Sequence, residues 1–199
     1  LPLDVNGDGV DEVVTASAGK VQCRTMTGSL LWESTPAGIA EVVGTGDFDD
    51  DGIQDIVAID SATYVGSLVI VRASDGSVAY QTSFEATGPV GANSMTKVDV
   101  DGDGKEDVIA RAQQPAYIVH AVGYDDVLGY HDIWSINLAA TGYPNANFPI
   151  VADVYDDPNT PDDDGKLELI YHQDTVMSVF DLETGTFLYY MTGLFPSYA

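Results

Sequence analysis

Residues 99–109 read DVDGDGKEDVI, and this stretch decides how the rest of the chain is read. Asp99, Asp101 and Asp103 stand at alternate positions, Gly104 follows, and Asp107 closes the phrase at its ninth residue. A β-branched run then begins at once, as expected where an acidic turn feeds a buried strand. The phrase recurs as DVNGDGVDEVV from Asp4 and DFDDDGIQDIV from Asp47, and in expanded form as DVYDDPNTPDDDGKLELI from Asp153. The starts lie 43, 52 and 54 residues apart, the size of a repeat of about four short strands.

Between the phrases the pattern is that of antiparallel β structure. Strands are expected over Glu12 to Thr15, Asp55 to Ile59, Asp107 to Ala110 and Leu167 to Tyr171. Each leads into a second strand and turn, in VQCRTMTGS, SLVIVRASDGS and SVFDLETGT, whose Thr-Gly and Asp-Gly pairs suit hairpins. The third copy, AYIVHAVGYDDVLGYHDIWSI, lacks such a pair and is expected to carry a longer loop. LLWEST, VAYQTSF, HDIWSINL and FLYYMTG supply a third strand, where Trp32, Tyr80, Trp134, Tyr189 and Tyr190 read as packing residues between sheets. A further strand, as in AEVVGTGD and NFPIVAD, runs into the next acidic phrase. The expected fold is all-β: a β-propeller, or a propeller-like array, of four antiparallel blades in one domain over 1–199, with loops at 4–12, 47–55, 99–107 and 153–168.

The sequence begins at Leu1, which implies a removed leader or further chain. The terminal segments TGLFPSYA and LPLD together would make one linker of the TGYPNANFPIVAD kind. Three arrangements follow from that complementarity: a ring whose last blade is shared by both termini, a segment of a longer array, or a subunit that passes a strand to its neighbour.

The donor chemistry of the loops is that of a hard cation. Asp4, Asn6, Asp8 and Glu12 in the first loop, Asp47, Asp49, Asp51 and Asp55 in the second, and Asp99, Asp101, Asp103 and Asp107 in the third offer only oxygen. Val10, Ile53 and Lys105 stand where a main-chain carbonyl would add to each set, and the glycine permits the sharp turn. In the fourth loop Asp164, Gly165 and Glu168 hold register, while Asp153, Asp157 and Asp162 compete for the remaining places across an insertion. Asp and Gly also cap ordinary turns. Three matched loops nonetheless crowd so many carboxylates that a cation is the better account. Calcium is preferred to magnesium because so many protein oxygens are offered, and zinc would ask for Cys or His. An EF-hand needs an acid at its twelfth position, which here is Thr15, Ala58 or Ala110.

On these loops the chain resembles the FG-GAP and VCBS repeats of integrin-like β-propellers, with their pattern D-x-[DN]-x-D-G-x-x-[DE]. The resemblance covers all four repeats. It implies calcium at the first three residue sets above, with only part of the fourth transferring, and an extracellular or cell-surface setting in adhesion or carbohydrate-active proteins.

Composition points the same way. With 32 Asp and Glu against 7 Lys and Arg, the formal charge of -25 repels nucleic acid and anionic lipid. Four calcium ions would reduce it to -17. No apolar run approaches the ~18 residues of a membrane span, so membrane insertion is not expected. Cys23 is alone, which excludes an internal disulfide, and reads as a small apolar strand residue.

No nucleophile elbow is present, and His120, His131 and His172 are scattered. The expectation is therefore not an enzyme but a calcium-binding structural or adhesive module, self-assembling head to tail through its termini, with protein subunits or surface glycans as partners. The alternative is a carbohydrate-binding or enzyme-associated propeller. It would use His120, Tyr124, Asp125, Asp126, Tyr130 and His131 of the third repeat as a contact group.

Overall fold

A computed structural model describes residues 1–35, 38–60, 67–82, 95–111, 118–138, 149–154, 166–173 and 176–192. They form sixteen strands and, among the described residues, no α-helix. The strands are β1 Pro2–Leu3, β2 Glu12–Ser17, β3 Lys20–Arg24, β4 Leu30–Glu33, β5 Ile39–Gly46, β6 Asp55–Asp60, β7 Ser67–Arg72 and β8 Val78–Gln81. They continue as β9 Met95–Val98, β10 Asp107–Arg111, β11 Ile118–Asp125, β12 Gly129–Asn137, β13 Pro149–Ala152, β14 Glu168–Gln173, β15 Val176–Asp181 and β16 Phe187–Thr192.

Each set of four consecutive strands makes one sheet, every neighbouring pair antiparallel. The acidic loops join the first strand of each sheet to the second. The sheets are registered alike. Val14, Cys23 and Trp32 stand side by side across the first sheet, and Val57, Ile70 and Tyr80 across the second. Ile109, Ala121 and Trp134 cross the third, and Ile170, Val179 and Tyr189 the fourth. In all four a register shift between the last two strands follows immediately after this row. Such a bulge adds local twist to the outer strand.

Strand alternation sends successive residues to opposite faces, and both faces of the inner two sheets are apolar. Ile56 and Ala58 join Val14, Val21 and Cys23 between the first and second sheets. Val57 and Ile70 meet Val108, Ala110 and Tyr130 between the second and third. Ile109, Ala121 and Trp134 meet Leu169, Tyr171 and Phe180 between the third and fourth. Each fully buried aliphatic side chain contributes roughly 1.5–3 kcal/mol.

The two tryptophans close interfaces in one manner. Trp32 lies on the hairpin glycine Gly76 of the second sheet, where an added Cβ would stand 2.5 Å from its ring, and Trp134 lies on Gly185 of the fourth, at 2.9 Å. Both glycines have positive φ, 77° and 67°, so the turn and the ring each require glycine there. The Trp134 indole nitrogen also donates to the Leu182 carbonyl at 2.8 Å.

Three expectations are corrected. The third hairpin has no long loop: β11 and β12 are the longest strand pair in register, joined through a tight turn over 126–128. Asp125 Oδ1 accepts the Val127 and Leu128 amides there, a side-chain cap that closes the turn without a Thr-Gly or Asp-Gly pair. The fourth buried strand begins at Glu168, and Leu167 before it is exposed. Tyr190 sits partly exposed at the sheet edge against Phe187 rather than within an interface.

Candidate metal centres

The loops fold by the same local bonds wherever they are described. The first aspartate turns its carboxylate back onto the loop amides, so that Asp4, Asp47 and Asp99 accept through Oδ2 from Gly9, Gly52 and Gly104 at 2.8, 3.0 and 2.9 Å. The fifth-position acid accepts from the residue two further on, Val10, Ile53 or Lys105, at 2.8, 2.7 and 2.8 Å. These glycines all hold positive φ, 86°, 83° and 93°, which lets the chain fold around its own carboxylates. Amides led by Gly9 hold the Asp4 carboxyl below its usual range.

Bonds of this kind occur in any acid-rich turn. The ninth-position acid separates these loops from turns of that kind. Glu12, Asp55, Asp107 and, after the insertion of the fourth loop, its counterpart Glu168 open β2, β6, β10 and β14 and are only 4%, 3%, 2% and 3% exposed. Each has one oxygen tied to a donor. Glu12 Oε2 accepts from the Val5 amide at 3.1 Å, Asp107 Oδ2 from Val100 at 2.7 Å and Glu168 Oε2 from Val154 at 2.8 Å. At Asp55 the donor to Oδ2 is the hydroxyl of Tyr130, from the next sheet.

In the first three loops the apolar second residue of the motif explains why the acid is buried, whereas its counterpart in the fourth, Val154, is exposed. Val5, Phe48 and Val100 plug into the core between their own sheet and the next, and draw the loop down over the strand end. Burial of a charge without a cation is costly. Desolvation accordingly pushes Asp55 and Asp107 up to about 7, with the neighbouring loop acids adding to the rise. Burial, aided by Asp51, also raises Asp49, whose Oδ1 is buried with no hydrogen-bond partner.

Carboxylate oxygens of Asp47, Asp49 and Asp51 lie within 4.8 Å of one another, as do those of Asp99, Asp101 and Asp107. Two of the expected sets are thus brought together as three-acid clusters. Asp103 and Asp8 bend to their own loop amides. In the first loop Asn6 Oδ1 accepts from Asp8 at 2.9 Å, so this loop presents one carboxylate fewer. Asp157, Asp162, Asp164 and Gly165 lie outside the described residues, which leaves Asp153 and Glu168 to represent the fourth loop. The oxygen-only donors, the unpartnered Asp49 oxygen and the buried ninth-position carboxylates fit a hard divalent cation.

The proposed contact group of the third repeat does not gather on one surface. His120 is buried with its Nδ1 3.2 Å from Asp132, and burial lowers its pKa. Tyr130 is buried between sheets, and Asp125 caps its turn. Lys105 lies over the Tyr124 ring at 4.9 Å and pairs with Asp126 at 3.3 Å.

Sequence reasoning missed Tyr130 as a partner of the second loop, and Gly123, whose bare Cα admits Asp107 Oδ1 where a Cβ would come within 2.5 Å. The second-position apolar residue was a signal that could have shown the loops to be anchored in the core.

The family model for the FG-GAP-like repeat matches residues 4–58 and 47–110, more than half of the chain. The chain belongs to the FG-GAP-like repeat family. No curated protein matches it in sequence. Among solved structures it is similar to the rhamnogalacturonan lyase YesW, at 19% identity and TM-score 0.57, over 94% of this chain and 41% of that one. It is similar also to the exotype rhamnogalacturonan lyase YesX, at 17% identity and TM-score 0.57, over 94% of this chain and 39% of that one. The Bacillus licheniformis rhamnogalacturonan lyase PL11 matches at 15% and 0.50, over 96% and 50%. The FG-GAP chain therefore spans between two fifths and half the length of these lyases, and the likeness is one of fold.

Proposed function

We propose that this FG-GAP chain is a β-propeller-type module that works outside the cell and binds calcium through its repeat loops, as a structural or adhesive element rather than a catalyst. The observation that carries the reading is the buried acid that opens the second strand of each sheet, held through one oxygen, together with the three-acid clusters of the second and third loops. In this reading Asp47, Asp49, Asp51 and Asp55, and Asp99, Asp101, Asp103 and Asp107, hold one ion each with the Ile53 and Lys105 carbonyls. Asp4, Asn6, Asp8, Glu12 and the Val10 carbonyl hold a third. Asp153 and Glu168, with Asp162 and Asp164, would hold a fourth. Calcium supplies charge neutralisation at strand ends, and binding is then partly folding free energy.

The test is calcium titration into chelator-treated protein, with thermal unfolding and particle size followed together. A large rise in melting temperature supports the reading, and unchanged unfolding removes it. Growth in size with calcium would add self-assembly to the function; a single monodisperse species in both conditions would confine the chain to a monomeric module.

A second reading, a carbohydrate-associated module, is favoured by the fold shared with three rhamnogalacturonan lyases. Retention of the chain on immobilised rhamnogalacturonan would support it. Release of cleaved product from that polymer would overturn the non-catalytic assignment.

A further inference from the structure

We infer that Tyr130 is a positioning residue for the second loop, reaching across from the third sheet to orient Asp55, so that calcium bound at loop 47–55 fastens two sheets together. The inference rests on the calcium reading above and concerns how one of its sites is built. Three ninth-position acids are held by an amide of their own loop, through the oxygen equivalent to Asp55 Oδ2. Asp55 is held through that oxygen by a hydroxyl 75 residues away in sequence. A donor on one carboxylate oxygen fixes the rotamer and leaves the other for the ion, which is how outer partners tune metal ligands.

Tyr130 is built to stay in place. It is buried, its ring meets Tyr124 edge-on at 5.1 Å, and Tyr80 of the second sheet lies 6.4 Å away. A phenol hydroxyl is a ready donor to a carboxylate. Ion binding at the loop and docking of the third sheet are then linked, and linkage is reciprocal.

The experiment is calorimetric calcium titration of chelator-treated wild type, Tyr130→Phe and the control Tyr124→Phe. It is paired with hydrogen exchange of residues 129–137 with and without calcium. Tyr130→Phe is expected to weaken one site by about 10–100-fold and to leave the others and the control unchanged. Calcium is expected to protect the β12 amides in wild type, and Asp51→Asn, which disables the second loop alone, to remove part of that protection. A wild type that binds calcium with the same isotherm as Tyr130→Phe, or whose β12 protection survives Asp51→Asn intact, overturns the inference and leaves the hydroxyl as a mere partner for a buried acid. A flat isotherm for wild type overturns the calcium reading itself, and is distinguished by occurring before any substitution.

Discussion

Loops 47–55 and 99–107 have the same acid spacing, the same glycine and the same internal turn, yet they bury their last carboxylate by different means. In the third repeat Asp107 is held by its own loop, through Val100, and clusters with Asp99 and Asp101. In the second, Asp55 is held by Tyr130, and the cluster is Asp47, Asp49 and Asp51. The same motif has its last acid held from within the repeat in one case and from the next sheet in the other. What a repeat can do is therefore set partly by which sheet stands beside it.

The largest effect that could break this comparison is removal of the ions. At calcium a hundredfold above Kd each site adds about 2.7 kcal/mol, and a chain of this size shifts by roughly 2–4 °C per kcal/mol. Chelation is thus expected to lower the melting temperature by on the order of 20 °C if three sites fill. Scanning calorimetry of Asp55→Asn and Asp107→Asn in saturating calcium should show each losing about a third of that difference. Equal melting in calcium and chelator would erase the comparison altogether.

The pH dependence is next in size. Asp55 and Asp107 titrate at about 7 when folded against an ordinary 3.8, so between those values the folded chain binds more protons than the unfolded one. Metal-free stability from these groups is then greatest below about pH 4 and declines as pH rises to about 7. Melting in chelator is expected to fall from pH 5 to pH 8, while the gain from calcium grows. Asp107→Asn should flatten this slope and raise the metal-free melting temperature at pH 8 by on the order of a few degrees. A slope that is unchanged in both Asn variants would show that it comes from the overall negative charge.

A sharper cut is Gly123→Ala. Its Cβ would meet Asp107 Oδ1 at 2.5 Å and Ile133 at 2.8 Å, so it should weaken the third loop and spare the second, read as loss of one class of site in a calcium titration. Smallest is Lys105→Ala. The pair with Asp126 is at the surface, and its loss should change stability by less than about 1 kcal/mol in urea unfolding.

The loops were legible because the bonds that turn them are local. Asp99 reaches Gly104, and Asp103 reaches Lys105, within a few residues. The strands were legible for a similar reason, since β6 and β10 are continuous apolar runs that alternate between two cores. Tyr130 was not, because its polar neighbours placed it in a contact group of the third hairpin, and nothing near it in sequence names a carboxylate on another sheet. The third hairpin was misread because an Asp side chain, not a glycine pair, closes its turn. The identical bulge after each aromatic row was equally invisible, being a property of pairing rather than of any one segment.

Each sheet is a meander of consecutive strands, and among the described residues each core cluster joins sheets adjacent in the chain. During synthesis a sheet can therefore close soon after its last strand emerges and serve as the platform for the next, without waiting for a distant partner. Pulled from its ends, such a stack should give way in steps, one sheet at a time. The fastening between Asp55 and Tyr130 would make the second and third sheets yield together.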